Sequence, residues 1–220
     1  MQITIDKTQI EKIAAIIILL VAFFIVPYRI ICLGFMPTDD ANRHVAFSVT
    51  DKNWADVLEI EPSLSADHNA GWHYVLKKIH KYFGLNKEAL LITVMISLFL
   101  IFNITGSLLS PNIASWTIVL LLMFIFNRVI VVRLLIGRPF VVSSVVTLIL
   151  FKLWFIESKK PISIGCKYLV SIIFITLAVW LHGTWYTFLL LPIALLLAGK
   201  IKKSLELSFI VLLSTVIGAY

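Results

Sequence analysis

Residues 13–35, IAAIIILLVAFFIVPYRIICLGF, decide the fold class of this chain. A helix needs about 20 consecutive apolar residues to cross a hydrocarbon core about 30 Å thick. The apolar residues here are continuous rather than alternating, which indicates a helix and not the strand of a membrane barrel. The run is also too long for the apolar part of a signal peptide. We therefore predict a first, uncleaved transmembrane helix, in which Pro27 is a candidate kink.

Six further apolar runs follow the first one. They predict membrane spans at residues 89–109, 113–136, 140–156, 164–181 and 185–199, and a last span from residue 207 to the end. The chain is 60% hydrophobic and only 14% charged, with a mean hydropathy of +0.99. A soluble domain of this size cannot bury that much apolar surface, whereas lipid can solvate it. We predict an all-α fold, a polytopic transmembrane bundle of about seven spans.

The predicted bundle forms a single transmembrane domain over residues 1–220, with a long outer loop at residues 36–88 that carries surface helices. The run 185–199 is short for a span. The runs 164–181 and 185–199 are therefore alternatively a hairpin that turns at His182-Gly183-Thr184. Because the last apolar run reaches Tyr220 without a polar tail, we expect a fragment or a module of a longer protein.

The distribution of lysines predicts the orientation. The net charge is +7, but no basic patch with interleaved aromatic residues points to nucleic acid. Short loops between apolar runs carry Lys159, Lys160, Lys200, Lys202 and Lys203, as cytoplasmic loops do under the positive-inside rule. A multi-pass protein with a cytoplasmic N-terminus then has residues 36–88, 137–139 and 182–184 together outside. We expect the plasma membrane of a prokaryote, with the endoplasmic reticulum as the alternative.

The outer loop opens with residues 37–44, PTDDANRH. Thr38 is a candidate N-cap for a helix that starts at Asp39, and Asp40 and His44 would then share one face at i and i+4. Two adjacent carboxylates outside the bilayer can bind a divalent cation with a phosphate ligand, or act as a general base. The alternative is that both serve only the helix N-terminus.

A second polar stretch, residues 67–74, reads DHNAGWHY. From Gly71 onward apolar residues recur at helical spacing through Phe83, which predicts an amphipathic helix on the membrane surface with its lysines facing water. His68 and His73 are either solvated or hydrogen-bonded, or they contact a substrate. Their spacing does not fit a zinc template, so we predict no zinc site.

Three arginines and a histidine are the remaining candidates. Arg128, Arg133 and Arg138 lie toward the predicted outer end of the third span, and an arginine at membrane depth costs roughly 2.5 kcal/mol or more unless it has a polar partner. Their convergence near an acidic loop favours an anion, most simply a lipid phosphate. The alternative is snorkelling to the interface. His182 lies at the same predicted face, either as a packing residue or as a donor to a phosphate or sugar hydroxyl.

This organisation resembles the GT-C superfamily of membrane glycosyltransferases, which use polyprenyl- or dolichyl-phosphate sugars as donors. The resemblance rests on the first span, on the acidic opening of the outer loop at residues 37–44, and on the stretch from His68 to Tyr74. It also rests on Arg138-Pro139 at an outer helix start and on His182-Gly183 in an outer turn. It covers essentially the whole chain, as an N-terminal seven-span module.

The resemblance implies a role for each candidate residue. Asp39 or Asp40 is the implied catalytic base or ligand of a divalent cation, Mg²⁺ or Mn²⁺. The donor is a polyprenyl-phosphate-linked sugar, the acceptor a lipid, glycan or protein, and membrane lipids are the other partners. The candidate substrate-binding residues are Arg43, His44, His68, His73, Arg128, Arg133, Arg138 and His182.

Two other classes remain open. A transporter or lipid-carrier flippase predicts polar groups through the bilayer midplane and internal repeats. Asn103 and Asn127 lie within spans, but the sequence shows no repeat. A structural or assembly subunit predicts that the charges of the outer loop can be neutralised without consequence.

Overall fold

The computed structural model describes residues 7–32, 40–50, 52, 54–58, 67–110, 112–126, 136–156 and 162–219. Within these ranges the chain is all-helical, with no strand. The α-helices are α1 (Lys7–Cys32), α2 (Asp40–Ser48), α3 (Trp54–Leu58), α4 (Ala70–Phe83), α5 (Lys87–Leu109), α6 (Ile113–Phe126), α7 (Phe140–Phe155), α8 (Ile164–Leu181), α9 (Leu190–Leu197) and α10 (Ile201–Gly218), and a 3-10 helix (Trp185–Leu189) precedes α9.

Three of the described helices are long and apolar enough to cross a membrane. They are α1, α5 and α8, with mean hydropathies of 2.6, 2.3 and 2.0 over their most apolar windows. Helices α6 and α7 are apolar but have only 14 and 16 described residues. Helix α10 has 18 residues but includes Lys202, Lys203 and Glu206. The described part of the chain is therefore helical and includes three candidate membrane-spanning helices.

The segment that follows α8 departs from a plain α-helix. Residues Trp185–Leu189 form a 3-10 helix and only then does α9 begin. Pro192 lies in the first turn of α9, where its missing N–H costs little. Five residues at about 2.0 Å and eight at about 1.5 Å give a length of about 22 Å, which is less than the hydrocarbon thickness. This segment is therefore short for an independent span.

Two hydrophobic clusters hold the helices together, and α7 contributes to both. Val141 and Val145 belong to the cluster formed with α1, α2, α4, α5 and α6. Val146, Leu150 and Trp154 belong to the cluster formed with α8, α9 and α10. Helix α7 is therefore the central element. Because it packs against both clusters, its first turn sets the position of the residues that precede it.

Close helix contacts set the two ends of the bundle. At one end Gly106 of α5 lies against the ring of Trp116 in α6, where a larger residue would clash. At the other end Gly71 of α4 lies against Trp180 of α8, and a Cβ on Gly71 would be 2.5 Å from the carbonyl oxygen of Trp180. This second contact brings the residues before α4 next to the turn that follows α8.

Candidate functional site

Helix α2 is short and amphipathic. Its buried residues are Ala41, His44, Val45, Phe47 and Ser48, and the hydroxyl of Ser48 donates to the carbonyl oxygen of His44 at 2.8 Å. The described helix begins at Asp40, one residue after the predicted start. Thr38 and Asp39 lie outside the described residues, as does the side chain of Asp40. The predicted cap and the shared face of Asp40 and His44 therefore remain predictions.

A chain of three polar side chains connects α2 to α4. The Nδ1 atom of His44 lies 2.6 Å from Nε2 of His73. The Nδ1 atom of His73 lies 2.8 Å from Oδ2 of Asp67. The other oxygen of Asp67 accepts the backbone N–H of Asn69 at 3.0 Å. Each contact is within hydrogen-bond range, so the three side chains form one continuous hydrogen-bonded row.

Aromatic rings pack against this row and shield it from water. The ring of Trp54 is stacked on His44, with centroids 5.6 Å apart and planes at 4°, and its centroid is 4.5 Å from that of His73. Phe47 meets His73 edge-on at 4.6 Å. As residues, His44 and His73 are 6% and 2% exposed. Asp67 is the wetter end, with 26% of its side chain exposed.

The surroundings favour a neutral His44 and an ionised Asp67. Burial, and next the charge of His73, lower the pKa of His44 to about 3; Asp67 opposes this, and Arg138 and Arg43 add to it. Burial alone would raise the pKa of Asp67, but the hydrogen bond and charge of His73 and the N–H of Asn69 outweigh it, so that this pKa is lowered overall. The row thus has a carboxylate at its wet end and an uncharged ring at its dry end.

The turn before α7 lies beside the start of α2. Gly137 adopts a left-handed φ of 70°, a conformation that is costly for residues with a Cβ. A Cβ there would be 3.0 Å from Met95 and 3.7 Å from the Cβ of Ala41. Arg138 follows directly, so its backbone lies close to the N-terminal turn of α2.

The turn after α8 reaches the same end of the bundle. The backbone N–H of Gly183 donates to the carbonyl oxygen of His68 at 3.0 Å. His182 holds its Nδ1 atom 2.7 Å from the hydroxyl of Thr184 and 3.5 Å from that of Ser143. Burial, and next the charge of Arg138, lower the pKa of His182 to about 4. His182 is therefore neutral at pH 7.

A pocket of about 240 Å³ opens between these two turns. Its polar lining combines the cation Arg138 with His182 and with hydroxyl groups, and Phe140 supplies an apolar wall. One cation with several neutral donors suits an anion such as a phosphate group. The lining residues are Arg138, Phe140, His182, Thr184, Tyr186 and Thr187.

The structure brings some of the predicted site residues together and leaves others apart. His44 and His73 are in direct contact, and the charge of Arg138 acts on both His44 and His182. Arg43 and His68 are exposed. Arg128 and Arg133 lie outside the described residues, so the convergence of the three arginines stays a prediction.

Sequence reasoning missed two parts of this site. Asp67 had a visible signal, because it precedes the amphipathic helix that carries His73, but its spacing was tested only against zinc. Trp54 and Thr184 carried no signal, since their roles depend on which elements pack together. For metals, no group of three or more His, Cys, Asp or Glu side chains in the described part of the chain is arranged so that it could hold a metal ion. Because Asp39 and the side chain of Asp40 lie outside that part, a divalent cation there stays a prediction.

Helix α4 carries a basic and aromatic outer surface. Its buried side consists of Gly71, Trp72, His73 and Leu76, in agreement with the predicted amphipathic helix. Phe83, however, is 73% exposed, since it lies in the last turn before Gly84. Lys77 places its ammonium 4.2 Å from the centroid of the Phe47 ring, a cation–π contact. The helix contains no acidic residue.

No protein-family model, curated protein or solved structure matches this chain.

Proposed function

We propose that the protein is a membrane glycosyltransferase that transfers a sugar from a polyprenyl- or dolichyl-phosphate donor to a hydroxyl group of a lipid, glycan or protein. The observation that carries the proposal is the pocket that Arg138 and His182 line beside the start of α2. It combines an anion-binding cation with neutral donors, and the turn that carries Arg138 lies beside Ala41 in the first turn of α2. The sequence resemblance to GT-C enzymes supports the same reading.

In the proposed reaction, an oxygen of the acceptor hydroxyl attacks C1 of the sugar. The bond from C1 to the phosphate oxygen breaks, and its electron pair leaves with the phosphate, so that the configuration at C1 is inverted. Arg138 neutralises the charge that develops on the leaving phosphate. His182 is neutral at pH 7 and adds hydrogen bonding without a second charge. Asp39 or Asp40 accepts the proton of the acceptor hydroxyl.

The proposed setting is a multi-pass protein of about seven spans in a prokaryotic plasma membrane, with a cytoplasmic N-terminus and the pocket outside. The three candidate membrane-spanning helices support the membrane location. The lysines and exposed aromatic rings of α4 suit the headgroup region, where Tyr74, Tyr82 and Phe83 contact lipid and Lys78 and Lys81 meet lipid phosphates. A polyprenyl chain would then reach the pocket laterally from the bilayer.

A transporter or flippase for the lipid carrier is the second candidate. One observation favours it: Asn103, in the C-terminal third of α5, is 1% exposed, and its side-chain oxygen has no hydrogen-bond partner in the described structure. A buried polar group at membrane depth marks a transport pathway in many transporters. The transporter ranks second because the polar clusters described above lie at one end of the bundle and not along its length.

The test uses the purified full chain in liposomes with a panel of polyprenyl-phosphate hexoses and lipid or oligosaccharide acceptors. We expect transfer by the wild type, and a loss of at least about tenfold in kcat/KM for Arg138→Lys, because an ammonium cannot reproduce the two-pronged contact of a guanidinium with phosphate. Arg29→Lys is the matched control, since Arg29 is exposed on α1. Carrier movement across the bilayer without transfer, or full transfer by Arg138→Ala, would overturn the proposal in favour of the transporter.

A further inference from the structure

The hydrogen bonds between Asp67, His73 and His44 determine which nitrogen of each histidine carries a proton. Asp67 as a carboxylate only accepts hydrogen bonds, so Nδ1 of His73 must carry a proton and donate it. If His73 is neutral, its Nε2 then has a lone pair and accepts. The Nδ1 atom of His44, 2.6 Å away, must therefore be the donor. The remaining nitrogen of His44, Nε2, is left with an unprotonated lone pair.

A second protonation state satisfies the same contacts. When His73 carries protons on both nitrogens, its Nε2 donates to Nδ1 of His44, and His44 then carries its one proton on Nε2 instead of Nδ1. The two states differ by one proton, and neither leaves a buried ring nitrogen of the contact without its partner. In the second state the positive charge lies on His73, which is 2.8 Å from the carboxylate of Asp67.

We infer that Asp67, His73 and His44 form a proton relay that takes up a proton at Nε2 of His44 and stores its charge on His73. The bonds balance: one N–H forms at Nε2 of His44, the Nδ1–H of His44 breaks as its proton passes to Nε2 of His73, and the Nδ1–H of His73 persists. His44 is neutral before and after. Asp67 and His73 act as positioning residues, because they fix which nitrogen of His44 is the acceptor.

The charges around the row explain why the relay needs Asp67. Arg43 on α2 and Arg138 before α7 both act against a positive charge on His44, and Lys77 lies on the ring of Phe47, which itself contacts His73. Trp54 from α3 excludes water from both rings. Among the described groups that act on this row, Asp67 is the anion that can stabilise an imidazolium at His73.

In its catalytic use, the relay rests on the proposed function. Each sugar transfer releases the proton of the acceptor hydroxyl, and the carboxylate that takes it must lose it before the next turnover. His44 follows Asp40 by one helical turn on α2. The relay would thus take the proton from this helix and hold its charge on His73, beside the carboxylate of Asp67.

The experiment is a ¹⁵N NMR pH titration of the full chain in lipid nanodiscs, with all five histidines labelled in the imidazole ring. His44→Gln and His73→Gln assign the two rings. At pH 8 we expect His44 to carry its proton on Nδ1 and not on Nε2. On acidification a proton binds to Nε2 of His44 and the Nδ1 proton of His44 passes to Nε2 of His73, so both rings change at one shared midpoint.

Asp67→Asn keeps the size of the side chain and removes its charge, so we expect the shared midpoint to fall by about one pH unit or more. Asp56→Asn is the matched control, because it removes the same charge from the exposed side of α3. A proton on Nε2 of His44 at pH 8, or separate midpoints for the two rings, overturns the relay. So does equal behaviour of the two Asn variants.

Transfer activity measured on the same samples separates the relay from the proposed function. The expected titration without any sugar transfer leaves the relay standing and removes the glycosyltransferase. Sugar transfer without the expected titration would rule out the relay and leave the glycosyltransferase proposal standing. If Asp67→Asn does not fold, the tautomer and shared midpoint of the wild type still decide the relay.

Discussion

The backbone N–H of Gly183 donates a hydrogen bond of 3.0 Å to the carbonyl oxygen of His68. This bond ties the turn after α8 to the residues before α4, which lie far apart in the sequence. A Cβ on Gly183 would be 3.0 Å from the same oxygen, so the two backbone segments lie closer together than a residue with a side chain would easily allow. The pocket residue His182 directly precedes Gly183, and the relay residue Asp67 directly precedes His68.

Replacement of Gly71 by alanine should separate these elements. The new Cβ would lie 2.5 Å from the carbonyl oxygen of Trp180, and neither backbone can yield without moving α4 away from α8. Overpacking of this kind costs about 1–3 kcal/mol in the free energy of unfolding. We expect a lower thermal midpoint in detergent, measured by tryptophan fluorescence. Gly165→Ala is the control, because no atom lies within 4 Å of its Cβ; an equal midpoint shift for both variants would contradict the packing argument.

The long apolar helices were the part of the fold that the sequence could predict. The predicted run 164–181 has the same bounds as α8, and the predicted run 89–109 differs from α5 by two residues at its start. These helices could be predicted because lipid offers no hydrogen-bond partners, so the backbone N–H and C=O groups of an apolar segment must bond within the segment, as they do in a helix. No equivalent rule distinguishes a 3-10 helix from an α-helix, so the form of Trp185–Leu189 could not be read from its residues.

The candidate site was predictable only in its parts. His44 and His73 were both marked by their polar surroundings in the outer loop. Their pairing depends on the packing of α2 against α4 across 29 positions, which periodicity does not report. Asp67 was visible as a residue next to His68, yet its contact with His73 arises because the chain turns just before α4 begins.

Acidification should destabilise the protein partly through His182. The unfolded chain protonates this histidine near pH 6.5, whereas the folded protein does so only near pH 4. Between these values the unfolded state binds more protons, so the free energy of unfolding falls as the pH falls. We expect the thermal midpoint to decrease over this range and His182→Gln to flatten the decrease in part, because the lowered pKa of His44 contributes over the same range. His68→Gln, at an exposed position, should leave the profile unchanged; an unaltered profile for His182→Gln would refute the assignment.

Neutralisation of the outer acidic pair should stop sugar transfer. If Asp39 or Asp40 is the general base, replacing that residue by asparagine removes a contribution of about 10²–10⁴ in kcat. Each variant is tested separately in liposomes, with Asp56→Asn as an exposed control in the same outer segment. Full transfer activity in both folded variants would rule out a carboxylate base at this position and leave His44 as the group to test next.

Removal of divalent cations tests the other predicted role of the same pair. If Asp39 and Asp40 hold Mg²⁺ or Mn²⁺ against the donor phosphate, EDTA should abolish transfer and excess metal should restore it. The Asn variants should then need more metal for half-maximal activity than the wild type. Unchanged transfer in EDTA after exhaustive dialysis would assign phosphate neutralisation to the cationic side chains alone.

Labelling of single cysteines decides whether the pocket and the basic helix share one side of the membrane. Cys32 and Cys166 are exposed free thiols, so both are first replaced by serine. Cysteines are then placed at exposed positions, Lys77→Cys on α4, Tyr186→Cys after the His182 turn and Lys202→Cys at the start of α10. An impermeant thiol reagent on intact cells should label the first two and not the third, because α10 begins at the opposite end of the bundle from His182. Labelling at 202 together with 77 would contradict the seven-span topology, because the two positions would then lie on the same side of the membrane. Labelling at 77 without 186 would place α4 and the His182 turn on opposite sides of the bilayer, and the two parts of the proposed site could not then act on one substrate.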